Sequence, residues 1–119
     1  MAPLLSPLVL LWTALGCGDS CQQLCRSIAD RIETCIDDGS ALAWVDVRAD
    51  DRDDFVDLCQ LEWDDERRLL SSFDRQAALQ ECCDAVPLFD EGGRVFLGCD
   101  NSTEVLTCDE VVALYGSSP

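Results

Sequence analysis

Residues 20–35 read SCQQLCRSIADRIETC. Within them Cys21, Cys25, Ile28, Ile32 and Cys35 recur at spacings of four, three, four and three, the rhythm that sets side chains on one face of an α-helix. Gln22, Gln23, Arg26, Asp30, Arg31 and Glu33 fall mainly on the other side. The segment is therefore predicted to be an amphipathic helix with three cysteines on its buried stripe. Ser20-x-x-Gln23 has the capping-box pattern, which makes Ser20 the expected N-cap. Gly39, after Asp37 and Asp38, is the expected stop. Cys21 and Cys25 are one turn apart, and Cys35 lies about 15 Å further along the axis. A single partner element meets all three only by running antiparallel alongside, so a cross-linked helical hairpin is expected.

Working outward, residues 40–51 carry Trp44, Val45 and Val47, consistent with a short strand or an apolar lid. A helical pattern resumes near Asp53 with Phe55, Leu58 and Cys59 on one face. A further helical stretch is expected to open at Asp64–Glu66, with Leu69, Leu70 and Phe73 inward. Residues 75–85 place Leu79, Cys82 and Val86 on a common face, and Pro87 ends the run. Adjacent Cys82 and Cys83 point about 100° apart on a helix, so they reach two different neighbours, as in a central helix stapled on both sides. Beyond a turn at Glu91-Gly92-Gly93, residues 94–97 form a short β-prone segment, and Asp100-Asn101-Ser102 signals another turn. Thr107-x-x-Glu110 is a second capping box opening a last helix, with Gly116 as its stop. The expected fold is mainly α: a small disulfide-stapled helical bundle with a short β-prone segment near the C-terminus.

Nine cysteines sit in the 119-residue chain, and an odd count in an exported protein requires an explanation. Cys17 stands apart from Cys21, Cys25, Cys35, Cys59, Cys82, Cys83, Cys99 and Cys108, because it closes the uncharged apolar run 1–16. That run, about 14 residues of it apolar, is short of the ~18–20 a spanning helix needs. It ends in small residues, the layout of a cleavable export signal. Its n-region holds no Lys or Arg. Ala14-Leu15-Gly16-Cys17 resembles the lipobox of bacterial lipoproteins, usually Leu-Ala-Gly/Ala-Cys. Gly16 fits, while Ala14 and Leu15 depart from the usual residues. The resemblance implies cleavage before Cys17 and a lipid on its sulfur. The other reading is an ordinary secretory signal cut after Gly16, which leaves Cys17 free or bridging two chains. The expected organisation is an export signal over 1–16, a lipidated tether over 17–20 and a single cysteine-rich helical domain over 21–119.

The remaining eight cysteines are enough for four disulfides. In an oxidising compartment disulfides are expected, where a reducing cytosol would suggest metal ligands. Eight cysteines allow 105 pairings. The loose expectation joins the first helix to Cys59 and to the Cys82-Cys83 pair, with Cys99 and Cys108 bridging locally or anchoring the tail.

The chain has no Lys and no His, and its formal net charge is −16. Nucleic acid phosphates and anionic headgroups repel such a chain, so no nucleic acid partner is expected and membrane attachment would depend on the lipid on Cys17. Without His or Lys there is no histidine base, no Ser-His or Cys-His nucleophile and no Schiff-base lysine. No Walker loop, dinucleotide fingerprint or nucleophile elbow occurs. Carboxylate pairs abound by sheer number, so no enzyme is expected. The acidic stretch 46–66 does not fit a calcium loop: Phe55 occupies a ligand position after Asp51-x-Asp53, and no Gly follows. Residues 100–104 fail likewise. No metal and no cofactor is implied. Asn101-Ser102-Thr103 is a glycosylation sequon, meaningful only in a eukaryotic secretory route. The sequence points to a non-catalytic, lipid-anchored envelope or surface protein acting as a binding or structural module for a protein partner. The alternative is a soluble secreted effector or inhibitor. Trp44 and Trp63 are candidate partner contacts, with core or rim packing as the competing role.

Overall fold

The computed structural model describes residues 18–90, 99 and 104–116. Four α-helices are present among them: α1 (Ser20–Asp37), α2 (Arg52–Leu69), α3 (Ser72–Ala85) and α4 (Cys108–Tyr115). Short 3-10 turns lie at Trp44–Val47 and Val86–Leu88. The mainly helical, disulfide-stapled architecture is the one expected. The β-prone segment 94–97, its flanking turns and the sequon lie outside the described residues.

α1 is the hub, packing against α2, α3 and α4. Its start is one residue earlier than the sequence pattern suggested. Asp19, not Ser20, is the N-cap: its carboxylate accepts from the Gln22 amide at 2.9 Å, and the Gln22 side chain accepts from the Asp19 amide at 2.9 Å. A carboxylate caps as well as a hydroxyl and also answers the helix dipole. At the other end Gly39 adopts φ +85°. Its amide donates to Ile36 and that of Ser40 to Cys35, each at 3.0 Å, which is the Schellman stop. Cys21, Cys25, Ile32 and Cys35 are buried, as the spacing requires. Arg31, assigned to the solvent side, is instead only 8% exposed. Its Nε and Nη2 donate to the Leu106 carbonyl at 3.0 and 2.7 Å. A guanidinium fork satisfied by a carbonyl tolerates burial that a bare charge would not.

Residues 44–47 form no strand but a 3-10 turn, closed by Arg48 in the left-handed conformation at φ 59°, and Trp44 and Val47 pack on the core, the apolar-lid alternative. The Ala43 amide donates to the Asp46 carboxylate there at 3.0 Å, a local bond that competes with extended pairing. α2 begins on its N-cap Asp51, whose Oδ1 accepts from the Asp54 amide at 2.8 Å. It continues without a break through Asp64–Glu66, contrary to the expected new helix start. No Gly or Pro interrupts it, and Arg67 pairs with Asp64 at 3.0 Å one turn on. Acids in its first turn and Arg67 and Arg68 in its last suit the dipole. Leu69 and Phe73, expected inward, are 88% and 83% exposed, and Leu70 is half-buried. α3 starts at Ser72, capped by Ser71, rather than near Arg75. Thr107 and Glu110 form the expected capping box of α4, and Gly116 follows its last residue.

The four disulfides are Cys21–Cys82, Cys25–Cys59, Cys35–Cys108 and Cys83–Cys99, with Cα separations of 4.9, 5.8, 5.4 and 5.3 Å. These lie inside the usual range. Three leave α1, one to each other helix, so α1 is the central helix; the adjacent Cys82 and Cys83 of α3 reach two different neighbours, α1 and the tail, as expected. The expected link from α1 to Cys59 and to Cys82 is present. Cys83 departs from the expected link to α1 by joining Cys99, while Cys99 and Cys108 follow the second expected arrangement and anchor the tail to the bundle, at Cys83 and Cys35. Adjacent residues on α3 cannot both face α1, so the second points to the tail.

The apolar core sits at the C-terminal end of α1. Ile32, Cys35, Leu42 and Val111 are buried together, with Trp44, Phe55, Leu106 and Tyr115 packed around them. The other end of the bundle has no such cluster among the described residues. It is held by Cys21–Cys82, Cys25–Cys59 and the contacts of Asp19.

Arg48 supplies a first test of this local reading. An L-residue in the left-handed region costs about 1–2 kcal/mol that glycine avoids, offset in part by glycine's greater unfolded freedom. Arg48→Gly is therefore expected to stabilise the domain by about 0.5–1 kcal/mol, read as a higher midpoint in urea. A lower midpoint would show that the arginine side chain contributes more than the strain costs.

Candidate functional site

The N-terminal entry of the domain is built on Asp19. Besides capping α1, its Oδ2 accepts from the Trp63 indole Nε1 at 2.8 Å and from Arg67 Nη1 at 3.3 Å. Gly18 precedes it at φ +100°, and a Cβ there would collide with the Gln22 amide oxygen of the capping box. Glycine at position 18 suits both this positive φ and the close approach of the Gln22 side chain. Cys17 itself lies outside the described residues.

The two tryptophans are placed differently. Trp63 is 7% exposed with its N–H bonded to Asp19, so it serves the packing between α1 and α2. Trp44 is half-buried against the core, with its ring centroid 6.2 Å from that of Phe55. The exposed apolar surface lies elsewhere, on side chains that the sequence pattern turned inward or did not single out. Leu58 and Leu61 on α2 are 44% and 59% exposed. At 100° per residue they share the outer face with Asp57, Glu62 and Asp65, all exposed. The face opposite carries Val56, Cys59 and Trp63, which α1 covers. A signal for this was present in the sequence: Leu58 and Leu61 fall out of phase with the Val56–Trp63 stripe.

A shallow cleft of about 310 Å³ opens between the 3-10 turn and α4, lined by Asp46, Val47, Arg48, Phe55, Leu114 and Tyr115. Burial pushes the Tyr115 phenol above its ordinary value. The hydrogen bond from Arg52 to the Asp30 carboxylate holds that guanidinium's pKa up and ties the start of α2 to α1. Among the described residues no group of three or more His, Cys, Asp or Glu side chains is arranged to hold a metal ion. No helix among them is long and apolar enough to cross a membrane. Four disulfides mark the domain as one of an oxidising, exported compartment.

No family model, curated protein or solved structure matches this chain.

Proposed function

We propose that this protein is a non-catalytic, lipid-anchored envelope module whose outer α2 face binds a cationic amphipathic segment of a partner protein. One observation carries the binding reading: Leu58 and Leu61 stand exposed, inside a rim of Asp57, Glu62 and Asp65, on a helix tied to α1 by Cys25–Cys59 and by the Trp63–Asp19 hydrogen bond. Exposed leucines ringed by charge are a binding-surface pattern, and carboxylates complement Lys or Arg on the partner. Cys25–Cys59 holds this helix to α1 directly behind the face, so little ordering entropy is lost on binding. The lipobox resemblance at residues 14–17 supports the anchor, and the disulfides support export.

Two measurements test the parts separately. Mass spectrometry of the mature protein is expected to show a diacylglyceryl adduct on Cys17; an unmodified N-terminal cysteine would replace the anchor with the soluble secreted reading. NMR titration with a helical Lys/Leu peptide is expected to perturb Leu58 and Leu61 first and to weaken about tenfold with Leu61→Asp, about the loss of one apolar contact. Perturbations spread evenly over the acidic surface would remove the binding face.

A further inference from the structure

The hairpin between α2 and α3 protrudes past the N-terminus of α1. α2 runs antiparallel to α1: Cys59 is bonded to Cys25, Gln60 donates to the Gln22 carbonyl, and Trp63 and Arg67 meet Asp19. Leu69 and Leu70 therefore lie beyond the start of α1. α3 returns alongside, where Cys82 bonds to Cys21 and the Ser20 hydroxyl donates to the Leu79 carbonyl. Phe73, six residues before Leu79, is about 9 Å further out along the axis. This tip reads Arg67-Arg68-Leu69-Leu70-Ser71-Ser72-Phe73-Asp74-Arg75. It carries the two most exposed large hydrophobic side chains of the described residues, Leu69 at 88% and Phe73 at 83%.

Three properties of the tip favour one occupant. Its apolar side chains project at the end of a hairpin, a shape suited to entering a fluid layer and unsuited to matching a flat protein face. Three of the chain's eight arginines lie in these nine residues, with one acid among them, in a protein of net charge −16. Arg68 pairs with Asp65 at 3.8 Å yet keeps its side chain 75% exposed, and Arg75 is exposed with one Nη2 donating to the Arg67 carbonyl. Finally, Asp19 binds Trp63 and Arg67 at the base of the same hairpin, so Gly18, next to Cys17, enters the domain at the tip end.

We propose that residues 67–75 form a membrane-docking tip that seats Leu69 and Phe73 at the acyl boundary of a zwitterionic phospholipid surface. Arg68 and Arg75 then lie level with lipid phosphates, their apolar stems along the boundary. The acidic body is repelled by an anionic surface, so net-neutral headgroups are the preferred layer. The insertion depth needed is shallow, about 5–10 Å. This deepens the lipid-anchored reading and rests on it for orientation: a lipid on Cys17 and the tip would engage the same bilayer. The tip's own affinity is measurable without the lipid.

The test uses the mature chain from residue 17, oxidised, unacylated and with Cys17 alkylated. It is mixed at millimolar lipid with phosphatidylcholine–phosphatidylethanolamine vesicles and separated by flotation. The chain is expected to float, Leu69→Ser/Phe73→Ser to lose at least about tenfold in partition, two lost apolar anchors being worth more than that, and added phosphatidylglycerol to weaken binding. Both side chains are exposed, so the thermal midpoint of the variant should match the parent, which excludes misfolding. A parent that stays at the bottom, or a variant that floats equally, would overturn the tip. A dimer in sedimentation velocity that the variant abolishes, without flotation, would assign the tip to a second copy instead. An unacylated Cys17 in the native protein together with tip-dependent flotation would remove the anchor and leave the tip standing.

Discussion

Reduction of the disulfides should unfold this domain at room temperature and neutral pH. Each native disulfide in a small exported domain contributes roughly 2–4 kcal/mol, and the net stability of ordinary domains is only about 5–15 kcal/mol. The four contributions are not fully additive, since closing one loop shortens the next, yet together they match that margin. The apolar core gives little in reserve. Its fully buried large side chains are Ile32, Val86, Val111 and Cys35, and α3 buries no residue of its own. α3 is held through Cys82, Cys83 and the Ser20–Leu79 hydrogen bond. α4, eight residues long, is far below the length at which a helix persists alone. The repulsion of 24 acids against eight arginines opposes compaction throughout. Circular dichroism at the helical minimum, with and without a phosphine reductant, is expected to show collapse of helicity, with α3 and α4 exchanging amide hydrogens first. A reduced chain keeping a native-like, dispersed NMR spectrum would contradict this account.

Asp19→Ala is expected to cost about 2–4 kcal/mol, a large effect for one partly exposed residue. Loss of an N-cap accounts for about 1 kcal/mol. A further 1–3 kcal/mol, roughly, comes from leaving the buried Trp63 N–H without its acceptor. Arg67 retains Asp64 at 3.0 Å, so its ion pair adds little. Asp19→Asn, which keeps an acceptor oxygen and the capping geometry, should recover at least half of the loss. Urea unfolding of Asp19→Ala, Trp63→Phe and the double variant tests the coupling directly: the pair should be non-additive by about 1 kcal/mol or more. Additive effects would show that Asp19 acts as a cap alone.

The helices of this protein were legible where residues act on their nearest neighbours. The 4-3-4-3 spacing of residues 21–35 produced α1, Gly39 ended it, and Thr107 with Glu110 opened α4. Where two local signals competed, the pattern misled. Asp64–Glu66 resemble a helix start, but in a continuous helix Asp64 and Asp65 are the i,i+3 partners of Arg67 and Arg68. Ser20 and Asp19 both suit an N-cap, and Asp19 won because it also accepts from Trp63 and Arg67, residues more than forty positions away. The outer face of α2 was readable in principle, since Leu58 and Leu61 are out of phase with the covered stripe. The protruding tip was not: whether Leu69 and Phe73 point inward depends on how far α1 extends beside them.

The sequence by itself determined that this is a small, acidic, helical, cysteine-rich chain with a cysteine set apart at position 17, because composition, periodicity and capping are local or additive properties. Only the tertiary structure decided which cysteines join. Pairing depends on the register of α1 against α2 and α3, and that register is set by contacts distant in sequence. The same register carries the hairpin tip past the start of α1, beyond the cover of the described helices, and so leaves exposed the apolar residues that periodicity would bury.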